Sequence, residues 1–418
     1  MRNLRLTTAV LALGMCASIA VADWPQWRGP NRDGHAAGGS QLPDKLPAAL
    51  PVVWKTTIGY GLDSPVVAGG QVFFLAENNG KEVVNAADAA TGKIRWSVEL
   101  DESFKDSQSD QGPRCTAVVD GDRIYAQSAR GALKCLSVAD GKEIWGTNFT
   151  KDFGATFIGE KGKAEGHTRH GNTGAPVIDG DHLIAGVGGK DATYVCFDKK
   201  TGKVAWKCAI PELLPAYAAP IVASPAGVKQ VIAFTTGGVV GIDPAGGKLL
   251  WTIPLKTALG RHVTTPIVAG DMVIVGSFNV GLVGIKVTKS DAGAKAEQAW
   301  QTKEAMPNFS SPVPIGGDHV IGVGQGLKVF CAEAATGKIA WSADASLGKA
   351  HAGLIVVGDK VLALGDNGEL VMFAADVKAY RELGRATVLM GGKTWCVPAY
   401  SDGKLYLRDA KELKCMKL

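Results

Sequence analysis

A short phrase ending in tryptophan returns along this chain, and its return constrains the fold more than any other feature. It reads AADAATGKIRW to Trp96, LSVADGKEIW to Trp145, CFDKKTGKVAW to Trp206, GIDPAGGKLLW to Trp251 and CAEAATGKIAW to Trp341. A glycine stands four residues before each tryptophan: Gly92, Gly141, Gly202, Gly247 and Gly337. Glycine supplies the positive φ that a tight hairpin needs. Asp88, Asp140, Asp198 and Asp243, with Glu333 in the fifth copy, are read as opening the turn by bonding its backbone. A further copy closes on Trp300, with KSDAGAKAEQ in place of the tight turn, and Leu383 stands where the next tryptophan would fall.

Upstream of each phrase comes a proline, an apolar run, a Gly/Asp turn and a second apolar run, as in PVIDGDHLIAG from Pro176 and PIVAGDMVIVG from Pro266. Each repeat is therefore four antiparallel strands, A to D, one blade of a propeller. First strands start at Pro65, Ala117, Pro176, Pro220, Pro266, Pro312, Leu354 and Pro398, so the count is eight. The last copy, PAYSDGKLYLRDAKELKCMKL, stops after three strands, and PVVWKTTI near the start, with Trp54, supplies the fourth. The fold class is all-β: an eight-bladed β-propeller of four-stranded antiparallel blades, its last blade closed by an N-terminal strand. Such closure hides sheet edges that would otherwise pair with other chains. Trp54, Trp96, Trp145, Trp206, Trp251, Trp300 and Trp341 then cover blade-to-blade contacts and are structural.

Length alone, at about 150 residues per domain, would suggest two or three domains. The repeats, with 54 glycines and hardly a helical stripe, argue for one ring. Residues 1–22 read as a signal peptide: Arg2 and Arg5, an apolar run from Leu6, and a small-x-small site, Ala20-Val21-Ala22. Residues 23–51 form an N-terminal extension, and 52–418 the propeller. Cys16 follows Met15, where a lipidation signal wants a small residue, so lipidation is set aside. Cleavage removes two arginines and no acids, lowering the formal charge from +5 to +3. No nucleic-acid footprint and no later membrane span are expected, and the mature protein is read as an exported monomer, periplasmic or extracellular.

The repeated [D/E]-x-x-T-G-K-x-x-W phrase resembles the tryptophan-docking motif of pyrroloquinoline-quinone-like eight-bladed propellers. That superfamily includes quinoprotein alcohol dehydrogenases and the propeller subunit of the outer-membrane assembly machinery, BamB. DWPQWRGPNRDG and TWCVPAYSDGKLYLRD are similar to segments of exported propellers of unassigned role. The resemblance implies the fold over nearly all of residues 23–418 and leaves activity open. The dehydrogenases carry a vicinal cysteine pair over the quinone, a calcium set of Glu, Asn and Asp, and an Asp base. Here no two cysteines adjoin, and no calcium set or base is assignable.

Seven cysteines follow residue 22. Cys135, Cys196 and Cys331 lie ten residues before a repeat tryptophan, and Cys415 shares the Leu-Lys-Cys pattern of Cys135. Ala86 and Gly241 fill the same slot, so the position wants a small residue. Cys196 and Cys208 flank a hairpin in a register that invites a disulfide. No metal-binding spacing occurs.

Two connections from strand D to the next strand A are long, 99–113 and 148–174, and insertions on one face of a ring mark a binding face. Residues three before each strand-A start stand at the channel mouth on that face: Leu62, Arg114, Thr173, Tyr217, Val263, Phe309, His351 and Trp395. His170, Asn172, Arg261, His262, Asn308 and Lys349 lie near them in sequence. Basic groups beside aromatic rings suit an anionic, aromatic or peptide ligand. His167, His170, His262 and His351 fall on the same face without ligand spacing; no metal site is assigned. The leading expectation is a non-catalytic extracytoplasmic scaffold binding a protein, peptide or cell-envelope component there, without a cofactor. The alternatives are a quinone-dependent dehydrogenase using pyrroloquinoline quinone and calcium, or a degenerate one, and a small-ligand or polysaccharide binding module.

Overall fold

The computed structural model describes residues 23–107, 110–157, 159, 164–291, 293–390 and 393–418. The signal peptide assigned to residues 1–22 lies outside them. Eight four-stranded antiparallel sheets make up the ring, as the repeats imply. In seven of them the strands follow chain order. In the eighth, Val52–Thr57 pairs with Glu412–Lys417, the last strand of the chain. At this seam the buried Arg408 guanidinium pairs with Asp63 and donates to Gly59 O at 3.0 Å, binding blade eight to blade one.

The tryptophan motif works across blades. Trp54, Trp96, Trp145, Trp206, Trp300 and Trp341 donate their indole N–H to carbonyls of the next blade, those of Ala89, Val138, Lys199, Pro244, Ala334 and Asp376. For all of these but Trp341, whose ring meets Tyr380, the motif glycine of the next blade lies under the ring. A Cβ built on Gly202 (φ +73°) would stand 2.6 Å from Trp145, so the turn requires glycine for its backbone and for the packing alike. Trp251 departs from the rule. Blade five has the long hairpin Gly281–Ser290 to Gly293–Thr302 instead of a tight turn, and Trp251 donates to Gln230 Oε1 in its own blade. In blade two the residue that opens the turn is Ser137, whose position matches Asp88 and Asp198; Asp140 sits later in the turn. Gly141 N bonds Ser137 O, as Gly92 N bonds Asp88 O.

Apolar side chains from adjacent blades fill each interface; one cluster joins blades four and five and another blades six and seven. Cys196 lies opposite Trp206 and Cys208 opposite Tyr194, so the two sulfurs are offset along the hairpin rather than facing. Both are free buried thiols, and the anticipated disulfide does not form.

Residues 24–36 have their own task. Trp24 pairs with Val67 of blade one, Pro25 O accepts from Val119 N of blade two, and Arg32 donates to Ala175 O and Pro176 O of blade three. Trp27 reaches Thr265 of blade five, Arg28 reaches Pro312 O of blade six, and Ala36 N bonds Val356 O of blade seven. A segment tied to the first strands of six blades must cross the channel, and it seals the ring at the end carrying the A–B turns. Burial lowers the Arg28 and Arg32 pKa values to about 10 and about 9, which leaves both cationic at neutral pH.

Candidate functional site

Sealing one end turns the channel into a blind cavity of about 340 Å³ that opens on the D–A face. All eight channel-mouth positions, one per blade, line it, together with His170 and Arg261. The repeat geometry is the reason: each D–A connection descends into strand A beside the axis, so residues three before that strand converge. Trp27, from the sealing segment, forms the inner end, its indole N–H bonded to Thr265 Oγ1 at 2.8 Å.

One wall is charged. Asp106, from the long 99–113 connection, is buried and paired with Arg114. It also accepts from His170 Nδ1 at 2.8 Å. Arg169 Nε donates to His170 Nε2 at 3.0 Å, an arrangement that uses the neutral ring with its proton on Nδ1. Arg114 also lies 4.8 Å over the Phe104 ring. Asp106 is therefore spent on its two neighbours. Arg261 enters from blade five, its guanidinium 4.8 Å from the Phe309 ring and 5.4 Å from Phe278. Burial lowers its pKa, and the charge of Arg169 lowers it further, against the raising effect of Tyr217. Burial raises the Tyr217 pKa, so the phenol stays protonated at neutral pH.

The other wall is aromatic. Trp395 lies 4.9 Å from Phe309 and stacks on His351 at 5.9 Å, with 8° between the planes. Burial drives the His351 pKa down to about 4, so this ring is neutral, and its buried Nδ1 has no hydrogen-bond partner. Thr257 Oγ1, on the cavity wall, is likewise unpartnered.

Four of the named candidates stay outside. His262 is fully buried; it bonds Ser277 Oγ and Leu255 O, both at 3.0 Å, and stacks on Phe234, a core histidine held near pKa 4 by burial. Asn172 caps Ala129 O, and Asn308 accepts from Arg261 at 3.4 Å. Lys349 borders a shallow hollow beside Asp366. The four histidines do not gather, and no group of three metal-ligating side chains exists among the described residues. Asp106, Arg169, Thr257, Phe278 and Trp27 were not singled out from the sequence. Asp106 lies in an insertion that was, and Arg169 adjoins His170, so position was the available signal.

A calcium-bound quinone does not fit this lining. Calcium wants several oxygen ligands, and Asp106 is the one carboxylate among the described lining residues, already held by Arg114 and His170. No cysteine lines the cavity. No helix among the described residues is long and apolar enough to cross a membrane.

Comparison with known proteins agrees with the architecture. The chain is 23% identical to outer membrane protein assembly factor BamB of Yersinia pestis over 316 residues, 66% of this chain and 76% of that protein. It is 31% identical to the dehydrogenase subunit of the quinone alcohol dehydrogenase of Komagataeibacter europaeus over 153 residues, 34% of this chain but 19% of that one. BamB from Moraxella catarrhalis superimposes with a TM-score of 0.61 at 16% identity, covering 89% of this chain and 98% of that one. Quinohemoprotein alcohol dehydrogenase from Comamonas testosteroni gives 0.65 at 15% identity, covering 95% and 80%. The family model described as outer membrane protein assembly factor BamB matches residues 51–160, 80–296 and 286–379, and the chain belongs to that family of pyrroloquinoline-quinone-like propellers.

Proposed function

We propose that the chain is a non-catalytic, exported propeller that binds a partner protein or peptide on its D–A face, with the blind cavity at the centre of the contact. The observation that carries this reading is the cavity lining: arginines and aromatic rings converge there, while the one carboxylate among its described residues pairs internally. Such a lining binds and orients, and its described residues offer no nucleophile paired with a base. Membership in the family of outer membrane protein assembly factor BamB supports a protein partner in the cell envelope.

Photo-crosslinking in cells tests the face. Phe278, 39% exposed on the cavity lining, and Lys338, in a turn on the sealed face, are each replaced by a photoreactive amino acid. Adducts are expected from position 278; adducts from 338 with none from 278 would overturn the reading. Adding pyrroloquinoline quinone with calcium is expected to leave thermal unfolding unchanged. A chelator-sensitive shift, worth about 2.7 kcal/mol at hundredfold saturation, would instead favour a quinoprotein.

A further inference from the structure

Arg169 and Arg261 have no carboxylate partner among the described residues, although other charged groups around them are paired. Each gives one N–H to a neutral acceptor, Arg169 to His170 Nε2 and Arg261 to Asn308 Oδ1. Gly166 N donates to Leu259 O at 3.1 Å, which ties together the segments that carry the two arginines, and both arginines line the cavity with Tyr217. Two guanidiniums held together at partial burial repel, and an arriving anion relieves that repulsion. The stacked rings hold Arg261 in place and reduce the ordering cost of binding. Beside Arg261, the Phe309 and Trp395 rings, 4.9 Å apart and tilted by 52°, make an aromatic corner on the same lining. The unpartnered Thr257 Oγ1 and buried His351 Nδ1 sit on the same lining, where polar ligand atoms would complete them.

We infer that the cavity receives an acidic side chain next to an aromatic one, presented by a loop or chain end of the partner polypeptide: the carboxylate between Arg169 and Arg261, the ring against Phe309 and Trp395. This rests on the D–A face being the binding face. A volume of about 340 Å³ suits a few side chains rather than a folded element, and the Trp27 end excludes a threaded chain. The carboxylate supplies charge complementarity, and the ring supplies area in a pocket of aromatic anchors.

The test is calorimetric titration of the mature chain with N-acetyl-Glu-Trp-amide at millimolar concentration, beside its Gln-Trp and Glu-Ala counterparts and inorganic phosphate. Glu-Trp is expected to bind, with the Gln-Trp and Glu-Ala peptides weaker on the order of tenfold or more. Arg169→Gln with Arg261→Gln should remove the preference for Glu over Gln, while Lys338→Gln keeps it. Thermal unfolding of each variant reports folding independently. Equal binding of Glu-Trp and Gln-Trp, no binding of Glu-Trp, or tighter binding of phosphate than of the dipeptide would overturn the inference. If crosslinks from position 278 persist when the dipeptides fail, the face stands and the occupant is wrong. If those crosslinks are absent, the face itself fails.

Discussion

Glu82 gives the most searching test of how this fold carries charge. Its side chain is fully buried on the strand Lys81–Asp88, opposite Asp101, and accepts from Ala129 N at 3.2 Å. Burial pushes its pKa up from 4.5 to about 8; Asp101 and Asp63 add to the rise, against the Ala129 N–H and Arg114. A folded pKa raised above the unfolded one means the native state holds a proton that the unfolded chain has released. The stabilisation is complete below about pH 4.5 and is lost as pH climbs through 8. Other groups confuse the acid side. His167, His262 and His351 have folded values near 4, so their contribution is present above pH 6.5 and lost on acidification. Asp63, raised to about 6, adds a slope of its own there. Between pH 6.5 and 8 the unfolded histidines still release protons, a contribution shared by wild type and Glu82→Gln, so the difference between the two proteins isolates the Glu82 slope. At about 1.4 kcal/mol per unit, those one and a half units cost about 2 kcal/mol. With an unfolding entropy of about 2 cal/mol/K per residue, a chain of this size should lose about 2–3 °C in Tm relative to Glu82→Gln over that window. Glu82→Gln keeps the acceptor for Ala129, offers its amide to Asp101, and should abolish that loss. Scanning calorimetry of both proteins at pH 6.5 and 8, in matched ionic strength, reads it directly. Parallel losses in wild type and Glu82→Gln would refute the reasoning.

Gly202→Ala meets both a positive φ and the Trp145 ring, whereas Gly180→Ala (φ +58°) meets only the backbone cost, with no atom within 4 Å of the new Cβ. The first should cost at least about 2 kcal/mol and the second about 1 kcal/mol, and equal losses in Tm would contradict the docking argument. Arg32→Met strands the Ala175 and Pro176 carbonyls, with an expected cost of about 2–3 kcal/mol and faster amide exchange at the start of blade three. Burial raises the thiol pKa of Cys208, Cys396 and Cys415 to about 11 and of Cys196 and Cys331 to about 12. The folded protein should therefore resist iodoacetamide at pH 8, and unfolded protein should alkylate at Cys196 and Cys208 without prior reduction; a need for reductant would contradict the free thiols.

The ring and the cavity positions were legible in the sequence because both repeat. Gly202 and Trp145 recur with fixed spacing, and the residue three before each strand A is fixed by the same register, so Tyr217, Phe309 and Trp395 could be placed together. Ser137 was misjudged because Asp140, a better turn former by residue type, lies in the same turn. His262 was drawn in by its neighbours Arg261 and Val263, but adjacent residues in an extended segment point to opposite sides. The sealing role of residues 24–36 had no periodic signature. Arg28 meets Pro312 and Trp27 meets Thr265, contacts across hundreds of residues that occur once each.

The seam between Val52–Thr57 and Glu412–Lys417 has a consequence for biogenesis. Val52–Thr57 must wait for Glu412–Lys417, so no stage of synthesis or export before that strand can yield a closed ring. Until then blade eight lacks its third strand, its outer strand Val52–Thr57 has no partner, and the neighbouring interfaces stay wet. A chain truncated even by its last strand would leave an edge open to proteases and to other chains. The ring thus carries its own closure check, read at the seam between those two strands.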